Sequence, residues 1–306
     1  MISICIPIYN KDVSGLVEAL QEQITRLNVP VEIILLDDGS DDHFEKMNRK
    51  LEKTAFVNYS MLPANVGRSK IRNILADKAS FPNLLYLDCD TQIVRKDFLD
   101  SYLAETDQHS VVCGGHIYGE KPDKQELLLH WLAGSNREMK PLHLRKKRPY
   151  HSFMTGNFMI KRSVFKNIRF REDLRGYGHE DTLFGYDLKK NGVSIHHIDN
   201  PVEHTGLEAA GHFLMKTREG LQNLLISYKI TGYSAGYANM IKILQTYRMM
   251  RRIYMCKPLS VFCKLFEKPM LANLKGRKPC LWVFDLYKLG NLCRASANPQ
   301  HASTSR

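Results

Sequence analysis

The sequence has no C-x-x-C pair, no low-complexity tract and no apolar run long enough to cross a bilayer. Its seven cysteines are scattered and odd in number. That argues against a disulfide framework and a zinc site, and for a reducing compartment. No G-x-G-x-x-G follows any apolar run, so the dinucleotide-binding fingerprint is missing. The N-terminus enters a strand-like pattern at once, Ile2-Ser3-Ile4-Cys5-Ile6, with no basic segment ahead of it, so no secretory signal is expected. These absences place the protein in the cytoplasm.

What is present is an ordinary globular composition over 306 residues, room for one large α/β domain with an appendage or two modest domains. The formal charge of +12 is unevenly spread. Between Lys242 and Arg294 twelve Lys and Arg face only Glu267 and Asp285. The basicity therefore belongs to the tail, where Phe262, Phe266, Trp282 and Phe284 are interleaved with the cations. Such segments suit an anionic membrane surface, which extends the localisation to peripheral attachment at the inner face of the cell membrane. A packed helical subdomain with a solvated basic face accounts for the same residues. Nucleic acid is not an expected partner, because no nucleic-acid motif accompanies the charge.

The N-terminal two-thirds alternates strand and helix patterns. Buried strands are expected over 2–8, 31–36 and 84–90, with a weaker one near 57–62. Helices are expected from Ser14, from Asp41 or Asp42, and over 69–79. The alternation argues for a mostly parallel sheet with right-handed crossovers. Further on, a helix over 98–104, strands over 111–115, 153–160 and 193–198, and a helix opening at Glu180-Asp181 are expected. Residues 134–150, with Arg145-Lys146-Lys147-Arg148, read as a long mobile loop whose charges are solvated. The domain expectation is a catalytic domain over 1–212 and a basic, mainly helical region over 213–306.

The run Leu84-Leu85-Tyr86-Leu87 ends in Asp88-Cys89-Asp90. Because strand side chains alternate faces, both carboxylates are expected on one side, where they repel unless a cation lies between them or solvent screens them. Acids also stand at Asp37-Asp38 and at Glu180-Asp181, while His204 ends another segment. Taken singly, each has a plain structural account as a turn, a cap, a helix-dipole partner or a packed histidine. His196 and His197 point to opposite faces of a strand and are assigned structural roles.

Taken together, Pro7-Ile8-Tyr9-Asn10, Asp37-Asp38-Gly39-Ser40, Asn65-x-Gly67 with Arg72-Asn73, Asp88-Cys89-Asp90 and Glu180-Asp181 resemble, in order and spacing, the family 2 glycosyltransferases of GT-A fold. Thr155-Gly156-Asn157 and Gly176-Tyr177-Gly178-His179-Glu180-Asp181 also look like the acceptor-side segment of galactosyltransferase-like enzymes. The resemblance covers about residues 1–210. It implies an α/β fold with a mixed, mostly parallel sheet, and a nucleotide-sugar site including Pro7, Tyr9, Asp37, Asp38, Asn65, Gly67, Arg72 and Asp88. In that site Tyr9 lies against the nucleobase, Asp38 accepts from it, Asp37 supports the loop and Arg72 approaches the sugar or diphosphate. It further implies a divalent metal on Asp90, Asp88 and His204, a general base in Asp181, and acceptor binding by Glu180.

Oxygen ligands with one imidazole favour Mn²⁺ over Mg²⁺. The expected activity is inverting, metal-dependent transfer of a hexose from a nucleoside-diphosphate sugar, UDP-linked by preference, to a saccharide or lipid-linked saccharide acceptor. Polysaccharide or glycolipid assembly is the setting. The rivals are a nucleotidyltransferase, which lacks the expected basic, Gly-rich triphosphate loop here, and a non-catalytic membrane-associated assembly subunit.

Overall fold

The longest apolar runs of the N-terminal half become adjacent strands because each must bury two faces. The computed structural model describes residues 1–174 and 176–297. β1 (Ile2–Ile8) pairs in parallel with β2 (Val31–Asp37) and with β4 (Asn83–Leu87), and β2 pairs in parallel with β3 (Val57–Met61). β8 (Asn157–Lys161) runs antiparallel to β4 and to β6 (Val111–Cys113), and β9 (His196–His197) lies parallel to β6 at the edge. The order is β3-β2-β1-β4-β8-β6-β9. The sheet is therefore mixed and mostly parallel, as the alternation of patterns implied.

Side-chain alternation divides the core. Ile4, Ile6, Ile33, Leu35, Leu85 and Leu87 face one layer, together with helix α1 (Ser14–Ile24). Cys5, Ile34, Leu36, Leu84 and Tyr86 face the other, with Ile71 and Leu75 of helix α3 (Arg68–Lys78). The other α-helices ahead of β6 are α2 (Asp42–Asn48) and α4 (Phe98–Leu103). Strand order reverses between β1 and β4, so the chain leaves β1, β2 and β4 beside one another at their carboxyl ends, the place where open α/β sheets bind ligands.

A second sheet of very short strands has the order β5 (Thr91–Ile93), β10 (Val202–His204), β7 (His116–Ile117). His204 is opposite Thr91, and Val202 is opposite His116. None of these strands is long enough to leave a periodic signature in the sequence.

Two expectations are corrected here. The fourth strand stops at Leu87, and Asp88–Asp90 form a turn closed by the Thr91 amide and hydroxyl, which donate to the Asp88 carbonyl at 3.3 and 2.7 Å. Strand alternation therefore does not set the directions of Asp88 and Asp90. The basic stretch over 145–148 is not a loop, and although Lys146, Lys147 and Arg148 are exposed as expected, Arg145 is not solvated. Leu142–Lys147 is helical, and Arg145 is 6% exposed. Its guanidinium donates to the carbonyls of Lys140, Cys113 and Ile198 and contacts His197 Nδ1 at 3.2 Å. Three backbone acceptors supply the compensation that a buried cation requires.

The chain divides into two compact units. The first comprises Met1–Gly119, Glu138–Arg175 and Glu180–Gly206, and the second comprises Glu120–Arg137, Gly176–His179 and the chain from Leu207 onward. The second is helical, with Ala210–Ile230 as its longest helix and a core that includes Leu129, Phe213, Leu214, Met270, Phe284 and Tyr287. Among the described residues no helix is long and apolar enough to cross a membrane.

Candidate active site

The site grows from the carboxyl ends of β1, β2 and β4. Asp37 ends β2 fully buried, with Oδ1 accepting from the Ser40 amide at 2.8 Å and Oδ2 from the Tyr59 hydroxyl at 3.2 Å. Asp38 accepts from the amides of Val66 (2.7 Å) and Gly67 (3.2 Å), so it fixes the loop that leads into α3. Burial raises the Asp38 carboxyl above its ordinary value and Asp37 adds to this, against those two amides. Asn10 joins the first two loops: its amide donates to Ser40 Oγ, and its Oδ1 accepts from the Asp41 amide, both at 2.8 Å. Pro7 is half-buried near the end of β1, while Tyr9 and Asn65 are exposed on the loops that follow β1 and β3.

Arg72 of α3 is 2% exposed. Nη2 donates to Asp88 Oδ1 at 2.7 Å, and Nη1 lies 3.5 Å from Glu180 Oε1. The guanidinium expected to reach a donor diphosphate is committed to two carboxylates. The helix is seated by Tyr86, whose hydroxyl donates to the Arg72 carbonyl at 2.9 Å. Arg68, one turn earlier, lies 3.6 Å from Glu180 Oε1 and keeps a 46% exposed side chain, so it is the outward-facing cation that the sequence reading overlooked. Burial works to raise the Asp88 carboxyl, but the Arg72 and Arg68 charges and the Arg72 hydrogen bond outweigh it and hold the group below the usual carboxylate range.

Glu180 and Asp181 open the helix Glu180–Lys190. Asp181 is half-buried, and its Oδ1 accepts from the Thr182 amide at 2.5 Å and the Thr182 hydroxyl at 3.1 Å. Burial, then the neighbouring Glu180 charge, pushes its carboxyl up to about 6.

The short sheet builds the other side. Asp90 precedes β5 and His204 ends β10, with Oδ1 and Nδ1 3.7 Å apart. The Asp90 carbonyl accepts from the Thr205 amide (2.8 Å) and hydroxyl (2.9 Å). Tyr118 meets the His204 ring edge-on at 5.3 Å. His116, which the sequence did not single out, enters through β7. Its Nδ1 is buried with no hydrogen-bond partner among the described residues. Burial lowers its pKa to about 4, with Asp88 opposing the shift and His204 and Arg145 adding to it. A Cβ on Gly156 would come 2.6 Å from His116 Nε2 and 2.8 Å from Asp88 Oδ2, so that glycine leaves both groups room. The only preceding signal for His116 is its place just after Gly114-Gly115 at the end of an apolar strand.

The donor set fits a divalent cation in part. Asp90 and His204 offer an oxygen and a nitrogen on one edge of the short sheet, and His116 adds an unpartnered buried nitrogen. Asp88 is drawn toward Arg72 instead. Asp88, Asp90 and His204 do not form a trio with all ligand atoms within 4.8 Å; among the described residues only Glu105, His109 and His196 do.

Removing one partner from a buried ion network leaves the others uncompensated. Arg72→Met should therefore destabilise the fold by roughly 3 kcal/mol, the low end for such changes because the Asp88 side chain keeps 29% of its exposure. Urea denaturation followed by circular dichroism checks this, and a loss well under 1 kcal/mol would contradict the network.

Comparison with known proteins bears on the same region. No curated protein matches the chain. Among solved structures, the 1–349 fragment of S. aureus TarS aligns over 100% of this chain and 93% of its own, with 18% identity and a TM-score of 0.51. That fragment has also been solved with UDP and with UDP-GlcNAc. In the longer TarS chain the match covers 73% of this chain but only 39% of TarS, at 21% identity and a TM-score of 0.51. The mannosyltransferase PcManGT of Pyrobaculum calidifontis, solved with GDP-Man and Mn²⁺, aligns over 97% of this chain and 86% of its own, at 11% identity and a TM-score of 0.57. At these identities the likeness is one of fold, the GT-A fold of glycosyltransferases. Residues 3–169 match the profile described as Glycosyl transferase family 2, which is more than half of the chain, and the protein belongs to that family.

Proposed function

We propose that the protein is a metal-dependent, inverting glycosyltransferase that moves a hexose-type sugar from a nucleoside-diphosphate donor, a UDP-sugar by preference, to a hydroxyl of a saccharide acceptor. The observation that carries this reading is the Arg72 bridge. It ties Asp88, at the end of a parallel strand, to Glu180, the neighbour of a carboxyl lifted to about 6. A base tuned toward neutrality beside a cation-rich strand end is what activation of a sugar hydroxyl requires. UDP-GlcNAc on TarS and GDP-Man with Mn²⁺ on PcManGT support a nucleotide-sugar and a divalent ion.

In this reading the exposed Tyr9 ring stacks on the nucleobase, while Asp37 and Asp38 hold the pocket's loops in place. Arg68 meets the diphosphate. Arg72 keeps Asp88 ionised and orients Glu180, which binds acceptor hydroxyls. Asp181 takes the proton from the attacking hydroxyl on the face away from the leaving group, so the anomeric carbon inverts in a single displacement. A divalent ion held by Asp90 and His204, with Asp88 and His116 at its side, would neutralise charge developing on the departing diphosphate.

The surface of the helical unit bears on the class of acceptor. Residues 242–266 contain no acid, and Met249, Ile253, Tyr254, Val261, Phe262 and Leu265 are all more than 40% exposed. Exposed apolar groups among cations match an anionic lipid surface, so the acceptor is a lipid-linked or surface saccharide.

Three measurements test this. Purified protein with Mn²⁺ should turn over a UDP-sugar, and Asp181→Asn should lose roughly 10²–10⁴-fold in kcat while still binding UDP; Asp90→Ala should abolish the Mn²⁺ response. Wild-type turnover in Asp181→Asn would remove the base assignment. Because Asp181 works only deprotonated, kcat/KM should rise about tenfold between pH 5 and pH 7, with an inflection near 6. Removing the like charge with Glu180→Gln should move that inflection toward lower pH, and an unmoved limb would separate it from this pair. In flotation assays the protein should rise with vesicles containing anionic lipid and stay behind with neutral ones; indifference to lipid charge would exclude the electrostatic attachment.

A further inference from the structure

At the end of β6 away from His116, three side chains converge that the proposed transfer does not use. The helical turn after α4 carries Glu105 and His109, and the His109 amide donates to the Glu105 carbonyl at 3.0 Å. Edge strand β9 supplies His196, which is in register with Val112 of β6. The two imidazoles stack face to face, with centroids 3.8 Å apart and planes 4° from parallel. Both present Nε2 to one carboxylate oxygen: Glu105 Oε2 is 3.5 Å from His109 and 3.9 Å from His196. All three ligand atoms lie within 4.8 Å of one another.

We propose that Glu105, His109 and His196 bind a Zn²⁺ ion that fastens edge strand β9 to the turn following α4. Zinc bonds of about 2.0–2.1 Å at tetrahedral angles place neighbouring ligand atoms roughly 3.3 Å apart. The Glu105–His109 separation is already close to that, and the Glu105–His196 separation needs about half an ångström. Parallel rings cannot both aim their Nε2 lone pairs at one ion, so binding also turns one imidazole out of the stack; the side chains are 24–32% exposed, which leaves room for that rotation and for an ion to enter. Two imidazoles and one carboxylate are a zinc donor set, with a fourth position for water. Imidazole-rich sites rank Zn²⁺ well above Mn²⁺. Burial, with His109 and Lys146 adding to it and Glu105 opposing, lowers the His196 pKa, which favours the neutral ring that a metal needs.

The ion joins segments far apart in sequence, and binding to the folded state alone raises stability by mass action. Equilibrium dialysis of the full chain against Zn²⁺, with bound metal counted per chain, tests the proposal. Wild type should hold one more Zn²⁺ than His196→Ala or His109→Ala, and its thermal midpoint should rise with Zn²⁺ more than theirs. Glu105→Gln, which keeps the side-chain shape, should weaken that ion at least tenfold. Mn²⁺ should not distinguish wild type from any of these variants, and Mn²⁺-supported turnover should persist in all of them, so loss of the zinc site is separable from loss of the transferase reading. Asp90→Ala should keep the extra Zn²⁺. Equal Zn²⁺ stoichiometry in wild type and all three variants, or loss of that ion in Asp90→Ala, would overturn the site.

Discussion

A buried guanidinium between two carboxylates is the interaction on which the rest of the site depends. Arg72 is almost wholly removed from water, and such a charge persists only where it is paired and hydrogen-bonded. Its partners come from the end of β4 and from the start of the Glu180–Lys190 helix, elements separated by about a third of the chain. The bridge keeps the Asp88 carboxyl low. It also leaves Glu180 as an adjacent charge that, after burial, lifts Asp181. Arg72 pulls both Asp88 and Asp181 down, but burial and the Glu180 charge carry Asp181 upward, so two acids of one site are set in opposite directions.

Two sheets share the work of positioning. The long one brings Asp37, Asp38 and Asp88 to one edge through parallel pairing and a reversal of strand order. The short one has only two or three residues per strand, yet its register sets His204 opposite Thr91 and His116 beside Val202. Without it Asp90 and His204, more than a hundred residues apart, would not meet. Gly156 completes the arrangement by leaving the space that Asp88 and His116 converge on.

The second unit has a different physical character. It buries a core of its own around Phe213, Phe284 and Tyr287, so its basicity does not prevent folding. Its surface combines cations with exposed apolar side chains, Trp282 at 67% and Leu265 at 75% among them. The family match ends at residue 169, so of this unit it takes in only Glu120–Arg137.

Continuous apolar runs determined β1, β2 and β4 from sequence, because a strand buried on both faces has no other composition available. The acids that follow those strands, the α3 helix and the helix opening at Glu180 were legible from local pattern, while the GT-A fold and the transferase family followed from the resemblance carried by the spaced motifs. Cysteine spacing spoke only to thiolate metal sites and was silent about a site built from histidine and glutamate. Partnership was decided by tertiary structure. Arg145 read as solvated charge until three carbonyls surrounded it, and the two carboxylates that pair with Arg72 could not be read from its own helix. His116 left only its place after Gly114-Gly115 as a signal and the stack of His109 on His196 left none, since strands of two residues have no period and a ring's neighbours are set by register across the sheet. Local pattern fixes which groups a segment carries; long-range pairing fixes which of them share a charge, a proton or a metal.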